Sequence, residues 1–140
     1  MSEKLKNANQ FIKALPHARA LGLELQKLVD GTAVISMPYA DRLVGDPKTG
    51  VVHGGAVSAL MDTSCGAAVI SHPSSPAGTA TIDLRIEYLR AATPGQTITA
   101  EAICYHITRS VAFVRATATD DDSETPVAMA TGTFTVEGRR

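Results

Sequence analysis

The chain has 140 residues, of which 44% are hydrophobic and 19% charged, and its formal net charge is −1. This size and composition predict a single globular domain over residues 1–140 and exclude a disordered chain, because enough apolar side chains are present to bury a core. The sequence has no apolar run near the length of a membrane span and no basic patch, so we expect neither a membrane nor a nucleic-acid partner.

Two further features of the sequence concern location and cofactors. The first fifteen residues mix charges into their apolar positions and contain no hydrophobic signal core, which predicts a cytoplasmic protein. Cys65 and Cys104 lie far apart and belong to no CxxC or Cys/His cluster, so both are expected to be packed thiols. We therefore expect neither a metal nor an organic cofactor.

The N-terminal residues 1–16 are predicted to be a helical extension. Ala8, Ile12 and Leu15 recur at helical spacing, and Pro16 is expected to end the helix. We expect this helix to lie on the surface as a lid or flap.

A hairpin and a loop follow. Residues 23–39 contain two β-type stretches around Asp30-Gly31, a dipeptide typical of two-residue hairpin turns. Residues 41–50 have the glycine, proline and aspartate content of a loop.

Residues 54–71 predict the longest helix of the chain. They are rich in Ala, Gly and Ser, which suits a helix that packs closely on several sides. Asp62 carries the one formal charge in residues 51–70.

Four strands are predicted after this helix. Residues 79–90 alternate, which places Ile82 and Leu84 on one face and Thr81 and Asp83 on the other. Three more strands are separated by turns near residues 108–110 and by the acidic run Asp120 to Glu124, which we expect to be solvated; the three segments are TITAEAICYHI, VAFVRATAT and VAMATGTFTV. This order predicts an α+β fold in which an antiparallel sheet wraps around the long central helix.

The start of the central helix is a candidate oxyanion site. A helix N-terminus has unpaired N–H groups and a partial positive charge, and Gly54 and Gly55 allow a ligand to approach that backbone. His53 can orient the loop or donate a further hydrogen bond. Asp62 lies eight residues after Gly54, which is about 12 Å along a helix.

One chain therefore cannot easily bring Asp62 and Gly54 to the same bond. If two copies pack their central helices antiparallel about a two-fold axis, the Asp62 of one copy approaches the helix N-terminus of the other. The carboxylate is then a candidate general base or nucleophile. The alternative, a structural acid that only accepts hydrogen bonds, stays open at this point.

Three stretches, GDPKTGVVHGGAVSALMDTSCGAAV, TIDLRIEYLRAATPGQ and RSVAFVRA, resemble the hotdog-fold acyl-CoA thioesterases of the phenylacetate-degradation (PaaI-like) type. The similarity spans roughly residues 20–136, and its most specific element is His-Gly-Gly with an acid nine residues after the His. The resemblance implies the hotdog fold and hydrolysis of a small, medium-chain or aryl acyl-CoA by a homodimer, with homotetramers common. It assigns the acting carboxylate to Asp62 and the oxyanion donor to Gly54, beside His53.

The resemblance also implies roles for other residues. Where many relatives have an Asn that binds the thioester carbonyl, this chain has Asp46, which cannot donate a hydrogen bond when ionised. Asp46 is therefore protonated, acts in another way or is replaced by backbone donors. The hydroxyl that positions the nucleophile or water matches Thr81.

Substrate contacts are expected from Gly55 and from arginines at strand ends. Arg90 and Arg109 match positions where relatives contact the phosphates of coenzyme A, and Arg109 beside Ser110 is the first choice because guanidinium has suitable donor geometry. Two other functions stay open: a non-catalytic acyl-CoA-binding hotdog domain, and a hotdog hydratase or dehydratase. A plain structural domain, in which Asp62 is a packing acid, is a further alternative.

Overall fold

The computed structural model describes residues 3–139, with the backbone alone for Lys4 and Leu5, so the predictions for residues 1, 2 and 140 lie outside the described residues. The α-helices and strands follow the predicted order closely. Their bounds are α1 Glu3–Ala14, α2 Pro16–Leu21, β1 Glu24–Val29, β2 Thr32–Met37, β3 Val44–Asp46, β4 Val51–Val52, α3 Gly54–Ile70, β5 Thr81–Tyr88, β6 Ile98–Ile107, β7 Val111–Thr119 and β8 Ala128–Thr135.

Six of these strands form one antiparallel sheet in the order β1-β2-β6-β7-β8-β5. The helix α3 packs against the inner face of this sheet, mainly on β6, β2 and β7. The sheet and the long helix bury their apolar faces against each other, which confirms the predicted α+β architecture. Within the described residues, no helix is long and apolar enough to cross a membrane.

The inner face of the sheet is built largely from alanine. Small side chains there allow the helix to lie close to the strands, and α3 presents small residues of its own, including the buried Ser64, Cys65 and Ala68. Burial, together with the negative charge of Asp62, raises the pKa of the Cys65 thiol to about 12. The buried alanines are Ala33, Ala100, Ala102, Ala112, Ala116, Ala118, Ala128 and Ala130.

The hairpin predicted at Asp30-Gly31 joins β1 to β2. Both turn residues have positive φ, 44° at Asp30 and 88° at Gly31, as a two-residue turn of this kind requires. The Gly31 N–H donates to the backbone oxygen and the hydroxyl of Ser71, which ties the turn to the C-terminal end of α3.

Two local predictions were incomplete. Pro16 ends α1 as expected, but it also begins the short helix α2, because proline has no N–H to lose in the first turn of a helix. The predicted loop 41–50 contains the short strand β3 and is followed directly by β4, and these two strands pair around the turn that begins at Asp46.

The prediction of a fully solvated acidic run is wrong at its first residue. Asp120 has a fully buried side chain that accepts two hydrogen bonds from the Arg90 guanidinium, at 2.8 and 2.6 Å, and one from the Thr93 N–H. The bonds from Arg90 hold the pKa of this carboxyl well below its usual range. Composition alone could not reveal this partner, because Arg90 lies thirty residues away in the chain.

The strand β5 departs from simple alternation at its start. Thr81 pairs with Phe134 and Asp83 with Thr133, so two residues of β5 oppose one of β8, which is a β-bulge at Ile82. The bulge brings Thr81 to the same side of the sheet as Phe134 and leaves Ile82 54% exposed. The predicted faces of Thr81 and Ile82 were therefore wrong.

Candidate active site

His53 caps the N-terminus of α3. Its backbone is extended, with φ −60° and ψ 135°, and its Nδ1 accepts the Gly55 N–H at 2.8 Å. Since Nδ1 is an acceptor here, the proton of the neutral ring lies on Nε2. The cap leaves Gly54 as the first helical residue.

Gly54 presents a backbone donor that the fold does not use. Among the described residues, the Gly54 N–H has no hydrogen-bond acceptor, and the dipole of α3 adds positive character at this position. The Gly54 carbonyl oxygen, in contrast, accepts the Ser58 hydroxyl at 3.1 Å and the Tyr88 hydroxyl at 2.9 Å. Ser58 and Tyr88 also bond to each other, so β5 holds the start of the helix in place.

Asp62 lies two turns further along α3 and is half-buried. Its Oδ1 accepts the hydroxyl of Thr81, the residue that matches the positioning hydroxyl of relatives, at 2.6 Å. No other hydrogen bond to this carboxylate comes from residues 3–139, which leaves Oδ2 available to a ligand or a water molecule.

The two halves of the predicted site open into different cavities. A cavity of about 910 Å³ contains Asp62 and Thr81, whereas a smaller one of about 260 Å³ contains Gly54 and Tyr88. Neither cavity contains both Asp62 and Gly54. A single chain thus keeps the carboxylate and the helix N-terminus apart, as the helix geometry predicted.

The structure places Asp46 at the end of β3, where the turn to β4 begins, and outside both cavities. One carboxylate oxygen accepts the Lys48 N–H and the other the Thr49 hydroxyl, each at 3.0 Å. Nearby, Gly45 lies so close to His53 that a Cβ at position 45 would collide with the His53 backbone. The carboxylate of Asp46 thus accepts hydrogen bonds within its own turn, and the neighbouring Gly45 packs against His53, the cap of α3.

The predicted substrate-binding residues do not form one cluster in the chain. Arg90 lines the smaller cavity with Gly54, but its guanidinium bonds to Asp120 and to backbone oxygens of Ala91 and Thr125. The hydrogen bonds to Asp120 raise the pKa of the Arg90 guanidinium above its ordinary value. Gly55 gives its N–H to His53.

Arg109 and Ser110 lie in the exposed turn between β6 and β7. Neither residue lines the cavity that contains Asp62. The Arg109 side chain makes no hydrogen bond or ion pair with the described residues, so its guanidinium is available to a ligand.

Sequence reasoning missed the residues that position Thr81. Asp83 accepts the N–H and the hydroxyl of Thr133, at 3.1 and 2.5 Å, which fixes the bulge in β5. On the neighbouring strand β8, Gly132 has no side chain, and a Cβ at position 132 would collide with the Asp83 carbonyl oxygen. A glycine within a strand pattern signals a bulge or a close backbone approach, and that signal was present in TGTFTV.

A carboxylate arranged in this way has the chemistry needed for acid-base or nucleophilic catalysis. Among residues 3–139, no three His, Cys, Asp or Glu side chains lie close enough together to hold a metal ion. What the chain provides is one oriented carboxylate, one hydroxyl that donates to it and one free N–H at a helix N-terminus.

Comparisons with known proteins show which family the chain belongs to. A family model described as the thioesterase superfamily matches residues 49–127, which include α3, β5, β6 and β7. A candidate esterase from Halobacterium salinarum is 35% identical over 122 residues, which cover 83% of this chain and 81% of that protein.

Two further relatives have more specific names. The medium/long-chain acyl-CoA thioesterase YigI of Salmonella typhimurium is 27% identical over 139 residues, covering 90% of this chain and 88% of YigI. A solved structure of a mutant of the phenylacetic acid degradation protein PaaI from Thermus thermophilus superimposes with a TM-score of 0.75. The two chains are 27% identical, and the match covers 86% of this chain and 97% of that one.

Proposed function

Because this chain belongs to the thioesterase superfamily and is a thioester hydrolase with the hotdog fold, we propose that it hydrolyses acyl-CoA through the carboxylate of Asp62. The observation that carries the proposal is the hydrogen bond from Thr81 to Asp62 in the larger cavity. That bond fixes one carboxylate oxygen and leaves the other for chemistry.

Two reaction routes use the same atoms. As a general base, Asp62 takes a proton from water while the water oxygen bonds to the thioester carbon; the C–S bond then breaks and the leaving sulfur receives the proton. As a nucleophile, Asp62 bonds to that carbon and expels the thiolate, and water then hydrolyses the mixed anhydride. In both routes Thr81 keeps the carboxylate oriented.

We assign the oxyanion donor to Gly54 of the partner subunit in a homodimer. Both routes place negative charge on the thioester oxygen, and a preorganised N–H at a helix N-terminus stabilises that charge. The unused Gly54 N–H supports this role, and the separation of Gly54 from Asp62 within one chain supports a partner. His53, as the cap of α3, orients this donor.

The sheet itself supports association. The strand β5 is at an edge of the six-stranded sheet, and an exposed edge strand presents unpaired backbone groups to another chain. Apolar side chains on and beside this strand are also uncovered, with Ile82 54%, Tyr88 50% and Leu89 51% exposed. We propose that β5 and α3 face the second copy, and that two such dimers form a tetramer.

Coenzyme A phosphates are assigned to Arg109 and Ser110, with Arg90 and Gly55 nearer the thioester. Arg109 has the free guanidinium, so it is the first candidate. Arg90 would have to exchange bonds with Asp120 to take part. For Asp46, whose oxygens accept bonds within its own turn, we propose a positioning role in the segment before His53.

The test is release of free thiol from acyl-CoA. Asp62→Asn keeps the shape of the side chain and removes its basicity, so we expect kcat to fall about 10³-fold. Asp121→Asn is the matched control, because Asp121 is exposed and lies outside both cavities. A folded Asp62→Asn protein with wild-type turnover would refute the assignment of Asp62. If the wild-type protein binds acyl-CoA but releases no thiol, the non-catalytic alternative is favoured.

A further inference from the structure

The cavity that contains Asp62 continues along α3 as a groove whose lining is mostly apolar. Its volume of about 910 Å³ is at the upper end of the range of about 300–1,000 Å³ for ligand pockets. One wall is formed by α1 and the residue that follows it: Phe11 in α1 and Leu15 just after its end line the groove, and they are 66% and 38% exposed. A groove with exposed apolar walls that begins at a carboxylate suits a ligand with a reactive head and an apolar tail.

The floor of the groove is one face of α3. Asp62, Gly66 and Ile70 all line the cavity and recur every four residues, so they follow one another along the helix. The distance from Asp62 to Ile70 is about 12 Å along the helix axis. A chain attached to a thioester at Asp62 and running along this floor must pass Gly66.

Nothing in the fold requires glycine at position 66. Gly66 is inside a 17-residue helix, where glycine is less favourable than every residue except proline. Its backbone has no positive φ, and an added Cβ would meet Phe134 and Thr79 at 3.8 and 3.9 Å, which are ordinary contacts. The missing side chain does, however, keep the groove open one turn beyond Asp62.

We propose that this groove is the acyl channel and that Gly66 determines chain-length specificity, by allowing an extended acyl chain to pass from Asp62 towards α1. This inference rests on the proposed function, since it places the thioester at Asp62. The occupant is a linear acyl chain of medium or greater length, because a short acyl group would leave the α1 wall uncovered.

The experiment compares kcat/KM for dodecanoyl-CoA with kcat/KM for butanoyl-CoA. Gly66→Ala and Gly66→Val narrow the channel, and we expect Gly66→Val to lower the dodecanoyl-to-butanoyl ratio about tenfold or more, with Gly66→Ala between it and wild type. Ala14→Val is the control, because Ala14 is exposed on α1 and does not line the cavity; it should keep the wild-type ratio. Gly66→Ala should also raise the thermal midpoint, which confirms folding.

A ratio that stays at the wild-type value in Gly66→Val, including an equal loss with both substrates, overturns the inference. A second readout does not depend on hydrolysis. Dodecanoyl-CoA is titrated calorimetrically into two proteins, the Asp62→Asn variant and the double variant that carries both Asp62→Asn and Gly66→Val. Weaker binding in the second protein supports the channel, and equal binding contradicts it. Wild-type turnover in Asp62→Asn contradicts the proposed function instead, so the two failures can be told apart.

Discussion

The Thr81 hydroxyl donates a hydrogen bond of 2.6 Å to Oδ1 of Asp62, although simple strand alternation would turn Thr81 away from the helix. The bulge at Ile82 produces this contact, because it brings Thr81 to the face of β5 that meets α3. Bulges that redirect a side chain are common next to active sites. The irregularity of β5 therefore serves the candidate site.

Removing the Thr81 hydroxyl should impair catalysis while leaving the fold intact. Thr81→Val has nearly the same shape but cannot donate to Asp62, so we expect kcat to fall by about 10-fold to 100-fold. Thr81→Ser keeps the donor and should retain most of the activity. Steady-state kinetics and thermal unfolding of both variants check this, and a Val variant as active as the Ser variant would show that the hydrogen bond has no catalytic role.

The bulge itself can be tested from the neighbouring strand. In Gly132→Ala, the new Cβ collides with the Asp83 carbonyl oxygen, so β5 must shift and Thr81 loses its position. We expect a thermal midpoint lower by several degrees, together with reduced kcat. Asp83→Ala removes the acceptor for Thr133 without a clash and should reduce kcat with a smaller loss of stability.

Unchanged kcat in a folded Asp83→Ala protein would mean that Thr81 is positioned by other contacts. The second variant is needed because the clash in Gly132→Ala lowers stability as well as kcat, whereas Asp83 is exposed and its replacement adds no clash.

The Tyr88 hydroxyl links β5 to the start of α3 through the Gly54 carbonyl oxygen. Tyr88→Phe removes this hydroxyl, which also contacts the Ser58 hydroxyl, so the helix N-terminus is held less firmly. We expect a loss of about 1 kcal/mol in the free energy of unfolding and a moderate fall in kcat. Chemical denaturation and steady-state assays measure the two effects. If neither the free energy of unfolding nor kcat changes, Tyr88 does not hold the start of α3 in place.

The ion pair between Arg90 and Asp120 should make stability depend on acid pH. The pKa of Asp120 is lower in the folded protein than in the unfolded chain, so its stabilising effect is complete above the unfolded pKa of about 3.9 and is lost as pH falls through the folded pKa. Asp120→Asn should therefore be clearly less stable than wild type at pH 7, with the difference shrinking below about pH 4.

Thermal unfolding across this pH range measures the difference directly. Asp121→Asn is the control, because Asp121 is exposed and lies beside Asp120 in the chain. A stability difference for Asp120→Asn that is the same at pH 3 and pH 7 would show that the pair does not cause the effect.

The elements that could be predicted from the sequence are those with local signals. Helical spacing and small residues predicted α3, Asp30-Gly31 predicted the first hairpin, and alternation predicted the long strands. The resemblance matched Thr81 to the hydroxyl that positions the nucleophile or water in relatives, and in the structure this hydroxyl donates to Asp62.

The features that escaped prediction depend on partners distant in the sequence. The bulge in β5 requires Gly132 and Thr133, which lie about fifty residues further along the chain. The alternation of residues within β5 contains no information about them. The burial of Asp120 depends in the same way on Arg90. The helix α2 escaped for a local reason, since Pro16 fits both an end and a beginning.

The central claim is that Asp62 of one subunit acts on a thioester polarised by Gly54 of the partner subunit. Mixing two inactive chains tests it, one with Asp62→Ala and the other with Gly54→Pro. Proline suits the first helical position, and the extended backbone of His53 is compatible with a following proline, so the second variant should fold.

In such a mixture, half of the dimers contain both chains, and each of these has one intact site out of two. After subunit exchange, verified by mass spectrometry of the native complexes, we expect thiol release to recover to about a quarter of the wild-type rate. Exchange without any recovery, or full activity of the Gly54→Pro chain alone, would contradict the shared site.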